Sequence, residues 1–279
     1  MNYFILALLA GIIGAIMGIG GGIIIVPALT LIFNIPIHYA IGASITAVVA
    51  TSSTSASSYV KEGISNIRLG MFLESGTTFG ALVGAIITTA FASSDLLFVL
   101  FALLLVYASY SMITSAKSTE ESQFAERNDR MADILQLQGH YFDKKINKEV
   151  NYYVDRTPHM LGVSVGAGIA SGLLGVGGGF IKVPALVKVS KVPIKAASAT
   201  SNFMIGVTAS TSALVYLGRN YIDPFIAGPV ALGTLFGALI GVRLFKYIHG
   251  NTLKVAFGIL LILISIQLFM RGLSINIAF

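Results

Sequence analysis

The chain has 279 residues, of which 55% are hydrophobic and only 11% charged, against roughly a quarter charged in an ordinary soluble domain; this excludes a water-soluble globular protein and points to the lipid bilayer. No soluble basic domain carries the net charge of +6, so the excess argues for the loops of a membrane protein and against nucleic-acid binding. The absence of cysteine excludes a disulfide framework and a thiolate metal site. His38, His140, His159 and His249 stand apart without metal-ligand spacing, so no metal and no cofactor is expected.

The first apolar stretch, 3–33, has no basic residue ahead of it and reads as mature structure, not a cleaved signal peptide. As one helix it would be about 46 Å long, well beyond a hydrocarbon core of about 30 Å. Gly18, Gly20, Gly21 and Gly22 are its weakest helical run, and Pro27 disfavours the α conformation at Val26. The reading is a re-entrant hairpin with its tip near Gly20–Gly22 and a return helix starting around Pro27, where a missing N–H costs little.

Apolar segments 38–60, 67–92 and 96–116 follow as membrane spans. The first is dense in hydroxyls, from Ser44 and Thr46 to Thr51, Ser52, Ser53, Thr54, Ser55, Ser57 and Ser58. The second carries Glu74 and the small-residue ladder Gly76, Gly80, Gly84, a pattern that lets helices pack closely. Residues 117–157 are the one polar region. The part holding Phe124, Met131, Ile134, Leu135 and Leu137 is expected to form an amphipathic helix on the membrane surface. Beyond it the pattern starts again: a glycine-broken stretch at 160–187, then apolar segments at 196–217, 224–245 and 253–270. Gly162-Val-Ser-Val-Gly166 matches a hydrolase pattern, but it sits in an apolar helical segment without the strand that such an elbow needs.

The second half is a copy of the first. Gly18–Leu29 and Gly175–Leu186 share the phrase G-[IV]-G-G-G-x-I-x-V-P-A-L, and the offset of 157 residues holds without a gap through Pro36/Pro193, Tyr59/Tyr216 and Gly76/Gly233. Residues 11–84 match 168–241 at about 28 of 74 positions, enough to read an internal duplication. Basic residues orient the copies. If both glycine-broken stretches return to the side they came from, every Lys and Arg except Lys182, Arg219 and Arg271 lies on one side, the cytoplasmic one. If they cross instead, the bias is lost. Hairpins leave three true spans per half, an odd number, so the second repeat is inverted. The expected fold is an all-α polytopic membrane protein with a first repeat at 1–116, a cytoplasmic linker at 117–157 and a second repeat at 158–279.

Two unwound glycine stretches approaching from opposite faces, each followed by a helix start, suit a small anion. Glycine admits close backbone approach, and free N–H groups with a positive helix end favour negative charge. The candidate substrate-binding residues are therefore Gly20, Gly21, Gly22, Gly177, Gly178 and Gly179. Hydroxyl and amide candidates are Thr51, Ser53, Thr54, Ser201, Asn202, Thr208, Ser210 and Thr211. Lys182, an intramembrane lysine where the first half has Ile25, is the candidate counter-charge, with snorkelling to the interface as the simpler alternative. Glu74 is the candidate for proton coupling, against an interfacial position six residues after Arg68.

At Ser171–Pro184 and Ala199–Thr208 the chain resembles the sulfite exporter TauE/SafE family, also called the 4-toluene sulfonate uptake permeases. The resemblance implies a multi-pass transporter in the cytoplasmic membrane of a bacterium or archaeon, moving sulfite or a small organosulfonate, and fixes neither substrate nor direction. Partners are then the small anion, the lipid bilayer and, as a candidate, a second copy of the chain. The rival is a passive small-anion channel, which the same lining could serve. An enzyme is disfavoured because no nucleophile–base pair or metal cluster is legible.

Overall fold

A computed structural model of the protein describes residues 2–117, 129–143, 147–245 and 250–273. The first half contains α1 (Asn2–Met17), α2 (Gly22–Leu31), α3 (Ile37–Lys61), α4 (Ile67–Phe91) and α5 (Ser94–Lys117). A short connecting unit holds α6 (Arg130–Ile134) and the strands β1 (Gly139–Asp143) and β2 (Lys148–Tyr152). The second half repeats the plan as α7 (Thr157–Leu174), α8 (Gly179–Lys188), α9 (Ile194–Gly218), α10 (Pro224–Phe245) and α11 (Gly250–Gly272).

Each glycine run breaks its helix for a backbone reason. Gly18, Gly20 and Gly21, like Gly175, Gly177 and Gly178, have positive φ, a conformation that glycine adopts without penalty. The chain turns back on itself at both breaks. Gly21 lies against Ala10 and Gly11, and the Tyr3 ring meets the Phe33 ring at 4.7 Å, so the start of α1 is beside the end of α2. In the second half Gly178 lies against Ala167, and Asp155 N–H donates to the Ser190 carbonyl at 3.2 Å. The return helices do not start at the prolines, as the sequence suggested. They start at Gly22 and Gly179, placing Pro27 and Pro184 inside α2 and α8. The left-handed Gly21 and Gly178 set the helix starts. Their carbonyls accept from Ile24 and Ile25 and from Ile181 and Lys182, and buried packing then overrides the proline's local preference.

The halves interlock. The first helix of each packs on the fourth helix of the other, α1 on α10 and α7 on α4, while α3 packs on α9 and α5 on α11. The small-residue ladders do this work. Gly80 and Gly84 face the Val165 and Ile169 carbonyls, and Gly233, Gly237 and Gly241 face Phe4, Leu8 and Ile12 of α1. Both pairs are parallel, whereas α3 and α9 run antiparallel. Asn66, just past α3, donates from its N–H to Thr200 near the start of α9, and Gly42 near the start of α3 meets Tyr221 just past α9. Large apolar side chains such as Phe79, Phe91, Leu103, Phe225, Leu232 and Leu263 face outward. Helices α4 and α10, together with Ser94–Ser111 of α5, are long and apolar enough to cross a membrane. The protein is a helical membrane protein.

The connecting unit departs from the expected surface helix. Phe124 lies outside the described residues. Met131, Ile134 and Leu135 are on or beside the single-turn α6, and Leu137 is buried with Ala132, Tyr141 and Tyr152 against Leu69, Leu73, Ala196 and Met204. The unit therefore caps α4 and α9. Burial opposes ionisation of Asp129, but the N–H groups of Thr157, Met131 and Ala132 outweigh it and hold the carboxyl below its usual range. Lys195 of α9 grips Asp143 at 2.7 and 2.8 Å. Asn66 caps α4 through Leu69 N–H and donates its amide to the Leu137 carbonyl and the Tyr152 hydroxyl. Asn66→Ala is expected to cost about 1–2 kcal/mol, a cap plus a tether, and to speed proteolysis within 129–156. Unchanged thermal unfolding and cleavage would show that the cap is held elsewhere.

Candidate functional site

The two breaks meet at the centre of the molecule. A Cβ on Gly22 would lie 2.7 Å from the Gly175 carbonyl oxygen, and one on Gly179 would run into the Gly18 carbonyl. Hydroxyls pin each break from the opposite half. Ser44 donates to the Gly175 carbonyl at 2.7 Å, and its counterpart Ser201 donates to the Gly18 carbonyl at 3.1 Å. From its own half, each break is also held by a tyrosine: Tyr59 donates to the Ala15 carbonyl and Tyr216 to the Gly172 carbonyl, both at 3.2 Å. Gly20 and Gly177 each face Val48 and Ile205.

The symmetry fails at a charged cluster. Lys182 projects from the first turn of α8, fully buried, and donates from Nζ to Thr208 Oγ1 at 2.9 Å. Thr208 Oγ1 is 2.7 Å from Glu74 Oε1, and Lys182 Nζ is 3.8 Å from Glu74 Oε2. Glu74 also accepts from Thr77 at 2.6 Å and from Thr78 at 3.1 Å. Both charges thus lie inside the protein, Lys182 fully buried and Glu74 only 5% exposed. At the 157-residue offset the equivalents of Lys182, Glu74 and Thr208 are Ile25, Ala231 and Thr51. Thr51 bonds only back to the Ala47 carbonyl. The fold closes with apolar side chains in one copy, so it does not need the ion pair in the other. Two buried charges are costly unless paired and hydrogen-bonded, and their presence at only one of the two repeat-equivalent positions makes this pair the candidate functional element.

The remaining candidates divide. Asn202 is buried, donates to the Ser198 carbonyl at 3.1 Å and leaves its Oδ1 without a partner. Ser53 and Ser210 are exposed on the outer faces of α3 and α9, and Thr54 and Thr211 bond to the Ala50 and Val207 carbonyls of their own helices. The structure brings Lys182, Thr208 and Glu74 together and leaves those four apart from them. Thr77 and Thr78 escaped the sequence reading, although their spacing of three and four from Glu74 puts their hydroxyls on the same helix face. Ser52 escaped it too as a bond between halves, donating to the Asn202 carbonyl at 2.5 Å.

Interlocked helical halves around a buried polar centre, within an apolar exterior, define a polytopic helical membrane protein. The chain belongs to the sulfite exporter TauE/SafE family, whose model matches residues 3–268. It is 27% identical to the probable membrane transporter protein YunE of Bacillus subtilis, over 96% of this chain and 97% of that protein. It is 25% identical to the probable membrane transporter protein YdhB of the same organism, over 92% and 94%. A probable membrane transporter protein of Methanocaldococcus jannaschii is 26% identical, over 90% and 88%. No solved structure matches the chain.

Proposed function

We propose that the protein is a secondary transporter of sulfite or a small organosulfonate across the cytoplasmic membrane, with the anion held between two inverted repeats. The observation that carries this is Lys182: a fully buried cation beside Gly178, where the two glycine breaks meet, among hydroxyls and with one carboxylate partner. An oxyanion fits such a place because it can accept from an ammonium, hydroxyls and free backbone N–H groups at once. The contacts of the two halves support inversion, since equivalent helices α3 and α9 run antiparallel. They also support re-entrant hairpins, since each break returns its chain beside its own start. In this reading both hairpins reach the midplane from opposite faces, and the halves rock about the buried centre.

The test is flux in proteoliposomes with sulfite, sulfoacetate, taurine, sulfate and thiosulfate as probes. Uptake of sulfite or a sulfonate against its own gradient, energised by an ion or proton gradient, is the expected result. Downhill flux that no gradient energises identifies a passive channel, and no flux of any probe overturns the reading.

A further inference from the structure

We propose that Glu74 takes up one proton each time a monoanion binds at Lys182, so that the protein carries anion and proton together. This rests on the transport reading above and names its coupling. In the structure Lys182 and Glu74 compensate each other. A monoanion that draws Lys182 away from Glu74 would leave one uncompensated negative charge in a fully buried site, which is costly. Protonating Glu74 restores neutrality: one proton moves from water to a carboxylate oxygen, the ammonium pairs with the anion, and no other bond changes.

The hydroxyls around Glu74 are arranged for both of its charge states. Facing a carboxylate, Thr77 and Thr208 donate to it at 2.6 and 2.7 Å. Each also has a second acceptor: the Glu74 backbone carbonyl lies 3.1 Å from Thr77 Oγ1, and the Met204 carbonyl lies 3.0 Å from Thr208 Oγ1. When the carboxyl is protonated, either hydroxyl can turn to that carbonyl and accept the carboxyl proton, leaving no buried donor unmet. No other ionisable group competes nearby among the described residues. On α7 there is only His159, exposed in the first turn. On α9, Lys195 is held by Asp143, and Tyr216, two turns beyond Thr208, bonds the Gly172 and Leu173 carbonyls. On α8, Lys188 is exposed, and on α4, Arg68 is exposed and bonds Gln136.

The probe is methanesulfonate, which stays ionised throughout the accessible range, so any proton taken up belongs to the protein. Purified full-length protein in weak buffer is expected to take up close to one proton per anion bound, in the pH window where Glu74 is charged when free and neutral when anion-bound. Within that window affinity should strengthen up to about tenfold for each unit the pH falls, and outside it should be flat. Glu74→Gln is expected to bind with pH-independent affinity and no proton uptake. Thr77→Val, which removes a donor to the carboxylate, should move the midpoint of uptake to higher pH, and it decides the matter if Glu74→Gln does not fold. Binding by the parent protein without proton uptake overturns the coupling while leaving transport intact, and so does undiminished uptake in Glu74→Gln or an unmoved midpoint in Thr77→Val. Failure of methanesulfonate, sulfite and sulfoacetate alike to bind overturns both readings.

Discussion

Lys182→Met is expected to destabilise the folded protein by about 3–5 kcal/mol, because it leaves the buried Glu74 carboxylate without its counter-charge. Methionine keeps the length of the stem, so little packing is lost, and the effect isolates the charge. Glu74→Gln should cost a similar amount for the mirror-image reason, except that an added anion can now replace the missing carboxylate and restore stability. Lys182→Met combined with Glu74→Gln removes both charges. It should return to within about 1.5 kcal/mol of the parent, since isosteric neutral replacement of a buried pair is often neutral. The repeat-equivalent positions show that such a closure exists, with Ile25, Ala231 and Thr51 in place of Lys182, Glu74 and Thr208. Transport should not return with stability: the double variant folds but lacks the cation, so anion flux stays at background. Lys182→Arg keeps the charge but crowds a fully buried site, and should lose less flux than Met. Exposed Lys188→Met should change neither property. The measurements are thermal unfolding in detergent and anion flux in vesicles. A stable Lys182→Met that still carries the anion would remove the ion pair from the mechanism.

Much of this fold was written in the local pattern. The apolar segments 38–60, 67–92, 96–116, 196–217, 224–245 and 253–270 correspond to α3, α4, α5, α9, α10 and α11, to within a few residues at each end. Length and hydropathy decide such elements, and both are local. The breaks were legible because glycine adopts the positive φ found there without the steric penalty that other residues meet. Where each return helix begins was not legible. Pro27 and Pro184 carry a local preference that competes with buried packing, and packing is invisible in a single chain. The connecting unit was misjudged for a related reason. Ala132, Leu137, Tyr141 and Tyr152 pack with Leu69, Leu73 and Met204 from distant helices while Met131, Ile134 and Leu135 stay exposed, and a short run of mixed residues does not reveal whether its partner is lipid or protein.

The site was half legible. Lys182 and Glu74 each stood out as a lone charge in an apolar segment, and the cost of burying either gave both a functional reading. Their partnership did not show, because they lie in different halves and periodicity relates only neighbours. Comparing the repeats column by column carries more information than reading either alone. Positions shared by both copies, such as Ser44/Ser201 and Tyr59/Tyr216, pin the breaks in both. The columns Ile25/Lys182 and Glu74/Ala231 differ, and they are the ones that meet in the charged cluster. Thr51/Thr208 is identical in both copies yet joins that cluster only in the second, because its surroundings differ.

Gly179→Ala should be among the most damaging single-methyl changes in the chain. Gly179 is helical, so the objection to alanine is space and not backbone conformation. An added Cβ would collide with the Gly18 carbonyl and lie 2.6 Å from Ile205 Cδ1. A carbonyl in a packed break cannot swing aside as the end of a side chain can. Gly22→Ala meets the same obstacle from the other half, 2.7 Å from both the Gly175 carbonyl and Ser44 Oγ, and would disrupt the hydrogen bond between them. Overpacking by one methyl costs about 1–3 kcal/mol, with backbone collisions at the upper end. Gly166→Ala is the control: nothing lies within 4 Å of its Cβ in α7, so it should stabilise by about 0.5–1 kcal/mol through helix propensity alone. The opposed signs make the comparison sharp, since one chemical change is made at two helical glycines 13 residues apart. Thermal unfolding of the solubilised variants decides it. If Gly179→Ala unfolds at the same temperature as Gly166→Ala, the two breaks are not in contact, and the ion pair cannot owe its position to their meeting.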